Sequence, residues 1–182
     1  SDIDAYARTK DSRVKQVSAS LSGEWQAVQI IRADGTRSAD IRPLVRLNVS
    51  IVAGEGDRME SGNYGMGGRE TYELYLQTET WQGAVDEALR QSLVNLTSIA
   101  APAGERRVVL GSWSPAIVVH EAHSSRLEVD YNQKKTSAST DPMGKLGEAD
   151  CITVVNDNTI KNRRGSLSID DEGTPTQRTV IT

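Results

Sequence analysis

The 182-residue chain carries a formal net charge of −4, 37% apolar residues and a mean hydropathy of −0.47, the profile of a water-soluble globule. Nonspecific nucleic-acid binding is excluded because it needs a basic face, which the short pairs Lys134-Lys135 and Arg163-Arg164 do not supply. No apolar run reaches the ~20 residues of a membrane span, the N-terminus lacks a signal pattern, and one cysteine, Cys151, excludes an internal disulfide, so a cytoplasmic protein is expected.

Asp2 can cap a short helix through Lys10, with Ile3, Tyr6 and Ala7 on one side. From Val14 the period changes to two, with Val17, Ala19 and Leu21 on one face, and a second strand is expected from Trp25 to Arg32. Asp34-Gly35 reads as a hairpin turn. The clearest strand alternates Val45, Leu47, Val49 and Ile51 with Arg46, Asn48 and Ser50, which buries one face and wets the other, as antiparallel sheets do. After a turn at Gly54 to Gly56, the glycine-rich stretch Ser61 to Gly68 reads as a flexible hairpin loop, because no Lys-Ser/Thr follows to make a phosphate cradle. Thr71 to Leu76 then alternates like a strand.

Thr80 can cap the longest helix, where Trp81, Val85, Ala88, Leu89, Leu93, Leu96 and Ile99 fall at helical spacing, ending near Ala100 before Pro102 and Gly104. A strand from Arg107 to Leu110 and a helix from Ser114 and Pro115 through His120 are expected next. The polar C-terminal third offers strands at Ile152 to Val155 and near Ser166 to Ile169, with a turn at Asn156 to Thr159 between them. Asp170-Asp171-Glu172-Gly173 lacks the spaced oxygen ligands of a calcium loop and reads as a turn with a capping role. The expected whole is a single α+β domain over 1–182, a twisted, mostly antiparallel sheet with two main packed helices. Residues 1–12 form its short N-terminal helix and 136–182 its polar strands and loops.

Chemistry concentrates at His120-Glu121-Ala122-His123, which holds both histidines of the chain. Positions i and i+3 of a helix are neighbours, so the two imidazoles could face one ion, and Glu121 resembles the general base of helical zinc peptidases. The usual spacing of those histidines is four, however, and zinc wants a third protein ligand. Glu128, Asp130 and Cys151 are candidates that spacing does not rank, and a solvated or capped His pair is the competing reading.

Four blocks together resemble the TldD branch of the TldD/PmbA family, zinc metallopeptidases once called modulators of DNA gyrase. They are Asp40-Ile41-Arg42-Pro43-Leu44-Val45-Arg46-Leu47, Ala100-Ala101-Pro102-Ala103-Gly104, His120-Glu121-Ala122 with Leu127-Glu128 and Asp130, and Arg163-Arg164-Gly165-Ser166 running into Ile169-Asp170-Asp171-Glu172-Gly173-Thr174-Pro175.

The resemblance implies a cytoplasmic peptidase that works with a TldE/PmbA-type partner chain on unfolded peptides. It also implies zinc held by a His-Glu-x-x-x-His helix and completed by a cysteine from a later domain. By position, His120 would be the first ligand and Glu121 the base, but the second ligand falls on Ser125, whose hydroxyl is a poor zinc donor beside imidazole or thiolate. His123 stands on another side of the helix, so it cannot simply substitute. Ser124, Arg126 and Val129 replace family glycines, and the family continues into a further domain beyond position 182, which makes Cys151 distinct from the family's zinc cysteine. Two expectations follow. One is a TldD-like central segment, inactive as it stands and without bound zinc; the other is an engineered or diverged noncatalytic scaffold or binding domain.

Overall fold

The computed structural model describes residues 1–112, 117, 118, 120, 134 and 153–181. The fold is α+β. It comprises α1 (Asp2–Lys10), β1 (Val14–Ile31), β2 (Arg37–Glu55), β3 (Arg58–Gly68), α2 (Glu73–Leu76), α3 (Thr78–Leu96), β4 (Val154–Asp157) and β5 (Arg178–Ile181). Two compact units result, one of Ser1–Ala100 with Asp157–Arg178, the other of Ala101–Asn156 with Thr179–Thr182.

In the first unit β1, β2 and β3 form an antiparallel meander in that order, in continuous register from Gln16↔Val52 to Ile31↔Arg37 and from Val45↔Gly68 to Glu55↔Arg58. The first hairpin turns at Asp34-Gly35, as expected: Gly35 takes φ 86°, which favours glycine, and Asp34 Oδ1 accepts the Thr36 N–H at 2.9 Å. Gly56, at φ 59°, closes the second.

The strand side chains alternate between two faces, and burial exchanges faces halfway along. On the odd-numbered face of β2, Val45, Leu47, Val49, Ile51 and Ala53 are buried beneath α3, which contributes Ala84, Val85, Ala88 and Leu89 to the same core. Farther along that face, Trp25, Ile31 and Ile41 are exposed. On the even-numbered face the half around Asn48 and Ser50 is polar and partly exposed, whereas Ser38, Asp40 and Arg42, nearer the start of β2, are covered by residues 166–175. The two coverings therefore sit on opposite faces and at opposite ends of the sheet.

Several local expectations are corrected. The expected pair of strands over Val14 to Arg32 is one 18-residue strand, because its partner β2 continues unbroken beside it. The glycine-rich stretch Ser61 to Gly68 is strand rather than loop: glycine is needed there for close approach, since a Cβ on Gly62 would stand 2.0 Å from the Ala88 carbonyl oxygen. Thr71 to Leu76 holds the short helix α2, whose Tyr75 is driven into the core, instead of a strand. Gln77 rather than Thr80 precedes α3, and Ile99 lies past its end, 91% exposed. Arg107 to Leu110 is not a strand, and Val108 and Val109 are exposed. The strand expected near Ser166 to Ile169 is reduced to a single bridge, Ile169↔Pro175, around the acidic turn.

Candidate functional site

His120, the first residue of the candidate motif, is exposed, and Ile117 and Val118 just before it are helical. The expected base Glu121 and second histidine His123 lie outside the described residues, as do Ser125, Glu128, Asp130 and Cys151. Among the described residues no group of three or more His, Cys, Asp or Glu stands together as metal donors. In sequence the motif holds two histidines three apart, with serine at the position four beyond Glu121, and a serine hydroxyl is a poor zinc donor beside imidazole or thiolate.

The described unit instead builds a polar constellation where residues 157–178 lie on the even-numbered sheet face. Three arginines reach main-chain carbonyls across more than a hundred residues. Arg42 Nη2 donates to the Ile169 oxygen at 3.0 Å, Arg164 Nη1 to Val45 at 3.0 Å, and Arg32 Nε to Glu172 at 2.7 Å. A guanidinium suits this because its donors are fixed in a planar fork and its charge strengthens each bond. The acidic turn is shaped from within: Asp170 Oδ1 accepts the N–H groups of Glu172 and Thr174 at 2.9 and 2.8 Å, and Gly173 takes φ 79°. This is the turn and capping role expected of the acidic run.

Asp40 sits at the centre of this contact. Burial pushes its pKa up, but hydrogen bonds from Arg42 and from Ser168 outweigh that, and the carboxyl titrates below its ordinary value. Arg69 lies alongside with its Nε buried and without a hydrogen-bond partner. Burial, followed by repulsion from Arg42, holds its pKa below the ordinary arginine value. At the end of β3, Tyr75 donates its hydroxyl to Glu70 at 2.8 Å, and Asn162 Nδ2 donates to the other Glu70 oxygen at 3.2 Å. Burial and then the Glu70 hydrogen bond push the Tyr75 pKa up to about 12.

Sequence reasoning missed the arginine contacts. Arg42 and Arg164 stood in the blocks that carried the family resemblance, yet an arginine bonded to a distant carbonyl leaves no periodic or spacing signal.

Against known proteins, residues 1–96 match the profile of the PmbA/TldA metallopeptidase central domain and residues 103–182 that of the PmbA/TldA metallopeptidase C-terminal domain. The chain is 45% identical to a Metalloprotease TldD homolog of Haemophilus influenzae over 98% of its length, and 40% identical to one of Buchnera aphidicola subsp. Schizaphis graminum over 98%. It spans 38% of the length of each of these relatives. Among solved structures, a protein of Bacteroides thetaiotaomicron described as a candidate modulator of DNA gyrase aligns over 99% of this chain and 41% of its own, with a TM-score of 0.71 at 19% identity, which shows a shared fold.

Proposed function

The chain belongs to the PmbA/TldD metallopeptidase family, and from that premise we propose that it is a TldD-type segment whose own hydrolytic site is incomplete. The observation that carries this reading is the motif itself: His120-Glu121 keeps the first ligand and the base, while Ser125 stands where the second imidazole belongs. The metal proposed for a complete site is zinc. In the whole protein the substrates would be unfolded peptides, the partner a TldE/PmbA-type chain and the location the cytoplasm. Among the described residues no helix is long and apolar enough to cross a membrane.

A second reading, a noncatalytic scaffold or binding domain, is favoured by the same serine, since a domain freed from hydrolysis has no need of the imidazole. Zinc titration calorimetry on the purified chain, beside Ser125→His and His120→Ala variants, separates the readings. An incomplete peptidase site gains measurable zinc affinity in Ser125→His, short of the tight binding that a third donor would give, and loses it again when His120→Ala is added; a diverged scaffold gains nothing. Stoichiometric tight zinc in the unaltered chain, abolished by His120→Ala, would show that the site is complete after all.

A further inference from the structure

Where β3 ends opposite Val45, the sheet narrows to a two-stranded arm of β1 and β2 that runs on to the Asp34-Gly35 turn. Residues 166–175 cover the even-numbered face of this arm. Among the described residues nothing covers the other face: Leu21, Trp25, Ile31 and Ile41 are exposed there, Trp25 to 65%. From Leu21 to Ile31 and from Ala39 to Val45 this odd-numbered face carries no charged side chain. Strands left alone in water are ordinarily protected by charges, so a bare apolar arm marks an interaction surface.

The two ends of the face differ in shape and in charge. At one end Tyr72, which precedes α2, stands on Gly23, where an added Cβ would overlap its ring. Ile31 marks the other end, about 27 Å away along β1. Its strand partner on the same face is Arg37, which is exposed. Glu73, next to Tyr72 and bonded to the Thr71 hydroxyl, is exposed at the first end. A two-fold axis lying across the Ala27↔Ile41 pair, midway between the ends, reverses one arm upon another. Ile41 then meets its own symmetry mate, Ile31 meets the Tyr72 of the other copy, and Arg37 approaches the other Glu73 at both ends. The exposed apolar side chains present on the order of 600 Å² per copy, the upper range of what a monomer leaves open. Stacking two such faces buries roughly 1,200 Å² in all, the lower end of specific interfaces.

We propose that a second copy of this chain docks on this face, arm against arm in antiparallel stacking, to form a two-fold dimer. Another arm of the same sequence supplies both things the face asks for, an uncharged apolar surface and the two end charges in reversed order. The surface is independent of the His120 motif and uses residues of one compact unit alone. An interface this small gives a dissociation constant of ~10 µM, so that dilute chain is monomeric and keeps the face open.

The test is sedimentation equilibrium of the full chain from ~1 to ~200 µM, a range that brackets the expected dissociation constant. The chain passes from monomer to dimer and goes no further, because a two-fold contact closes on itself. Trp25→Lys and Ile41→Asp each raise the dissociation constant at least about tenfold, since they put a charge into the stacked face. Met59→Lys, an equally exposed apolar position at the far end of the sheet, leaves it unchanged. Arg37→Glu and Glu73→Arg each weaken the dimer about fivefold by setting like charges together, and the double variant restores it. Circular dichroism confirms that each variant is folded. A chain that stays monomeric at ~200 µM overturns the proposal and leaves the face to another segment or another protein. A dimer that survives both Trp25→Lys and Ile41→Asp, or one that the Arg37 and Glu73 exchange does not restore, overturns it as well.

Discussion

Arg42 and Asp40 form an ion pair two residues apart on one face of β2, Nε to Oδ2 3.2 Å, with side chains only 10% and 7% exposed. Asp171 approaches the same guanidinium at 3.6 Å but is 95% exposed. Removing one partner of a near-buried pair leaves an uncompensated charge, whereas an exposed ion pair contributes little. Asp40→Ala is therefore expected to cost about 3 kcal/mol in urea unfolding, and Asp171→Ala less than about 0.5 kcal/mol. Because the folded-state pKa of Asp40 lies below its ordinary 3.8, its contribution is complete above that value and is lost as pH falls through the folded pKa. The acid limb of the stability profile should be correspondingly shallower in Asp40→Asn.

Glycine positions in this chain give opposite outcomes that one experiment can compare. A Cβ on Gly62 would meet the Ala88 oxygen at 2.0 Å and the Ser92 nitrogen at 2.4 Å, both backbone atoms of α3 that cannot yield without moving the helix off the sheet. Gly62→Ala should destabilise by about 3 kcal/mol or more, an overpacking cost. Gly83, inside α3, has nothing within 4 Å of its Cβ position. Gly83→Ala should stabilise by about 0.5–1 kcal/mol through helix propensity, and chemical denaturation of both variants checks the pair.

How much of this was legible in the sequence depends on where each signal resides. Val45, Leu47, Val49 and Ile51 announce a half-buried strand because their period is a local property, and the structure buries all four. The Asp34-Gly35 turn is equally local. Gly62, Gly65 and Gly67 misled because glycine lowers strand propensity, whereas here it is selected by helix and arginine atoms far away in the chain. Tyr75 likewise belongs to a helix because the core behind β3 needs its ring. For the candidate site, His120 and Glu121 were readable as a motif, but the contacts of Arg32, Arg42 and Arg164 are tertiary and could not be.

The exchange of covered faces along β2 makes a prediction about isoleucines of identical chemistry. Ile51 is fully buried under α3, and Ile41, ten residues along the same face, is 58% exposed. Ile51→Ala should cost about 3–4 kcal/mol, the transfer and cavity terms together. Ile41→Ala should cost under about 1 kcal/mol, as surface substitutions do. Equal losses in equilibrium unfolding would mean that the apolar half around Trp25 and Ile41 is covered in solution.

Tyr75 provides the alkaline counterpart of Asp40. Its hydroxyl is held neutral by burial and by donation to Glu70, so ionising it in the fold requires pH near 12 instead of the ordinary 10.0. A raised folded-state pKa in a group that becomes charged on losing its proton means that its contribution is complete below pH 10 and is lost as pH rises through about 12. Of the chain's tyrosines, this one should ionise late in a spectrophotometric titration, in step with unfolding. Tyr75→Phe keeps the ring in the core but leaves the Glu70 oxygen without its donor, at a cost of about 1–2 kcal/mol at neutral pH. The same variant should lose less stability between pH 10 and 12 than the unaltered chain, because no buried phenol remains to be deprotonated. An unchanged alkaline limb would show that Tyr75 is not the group that sets it.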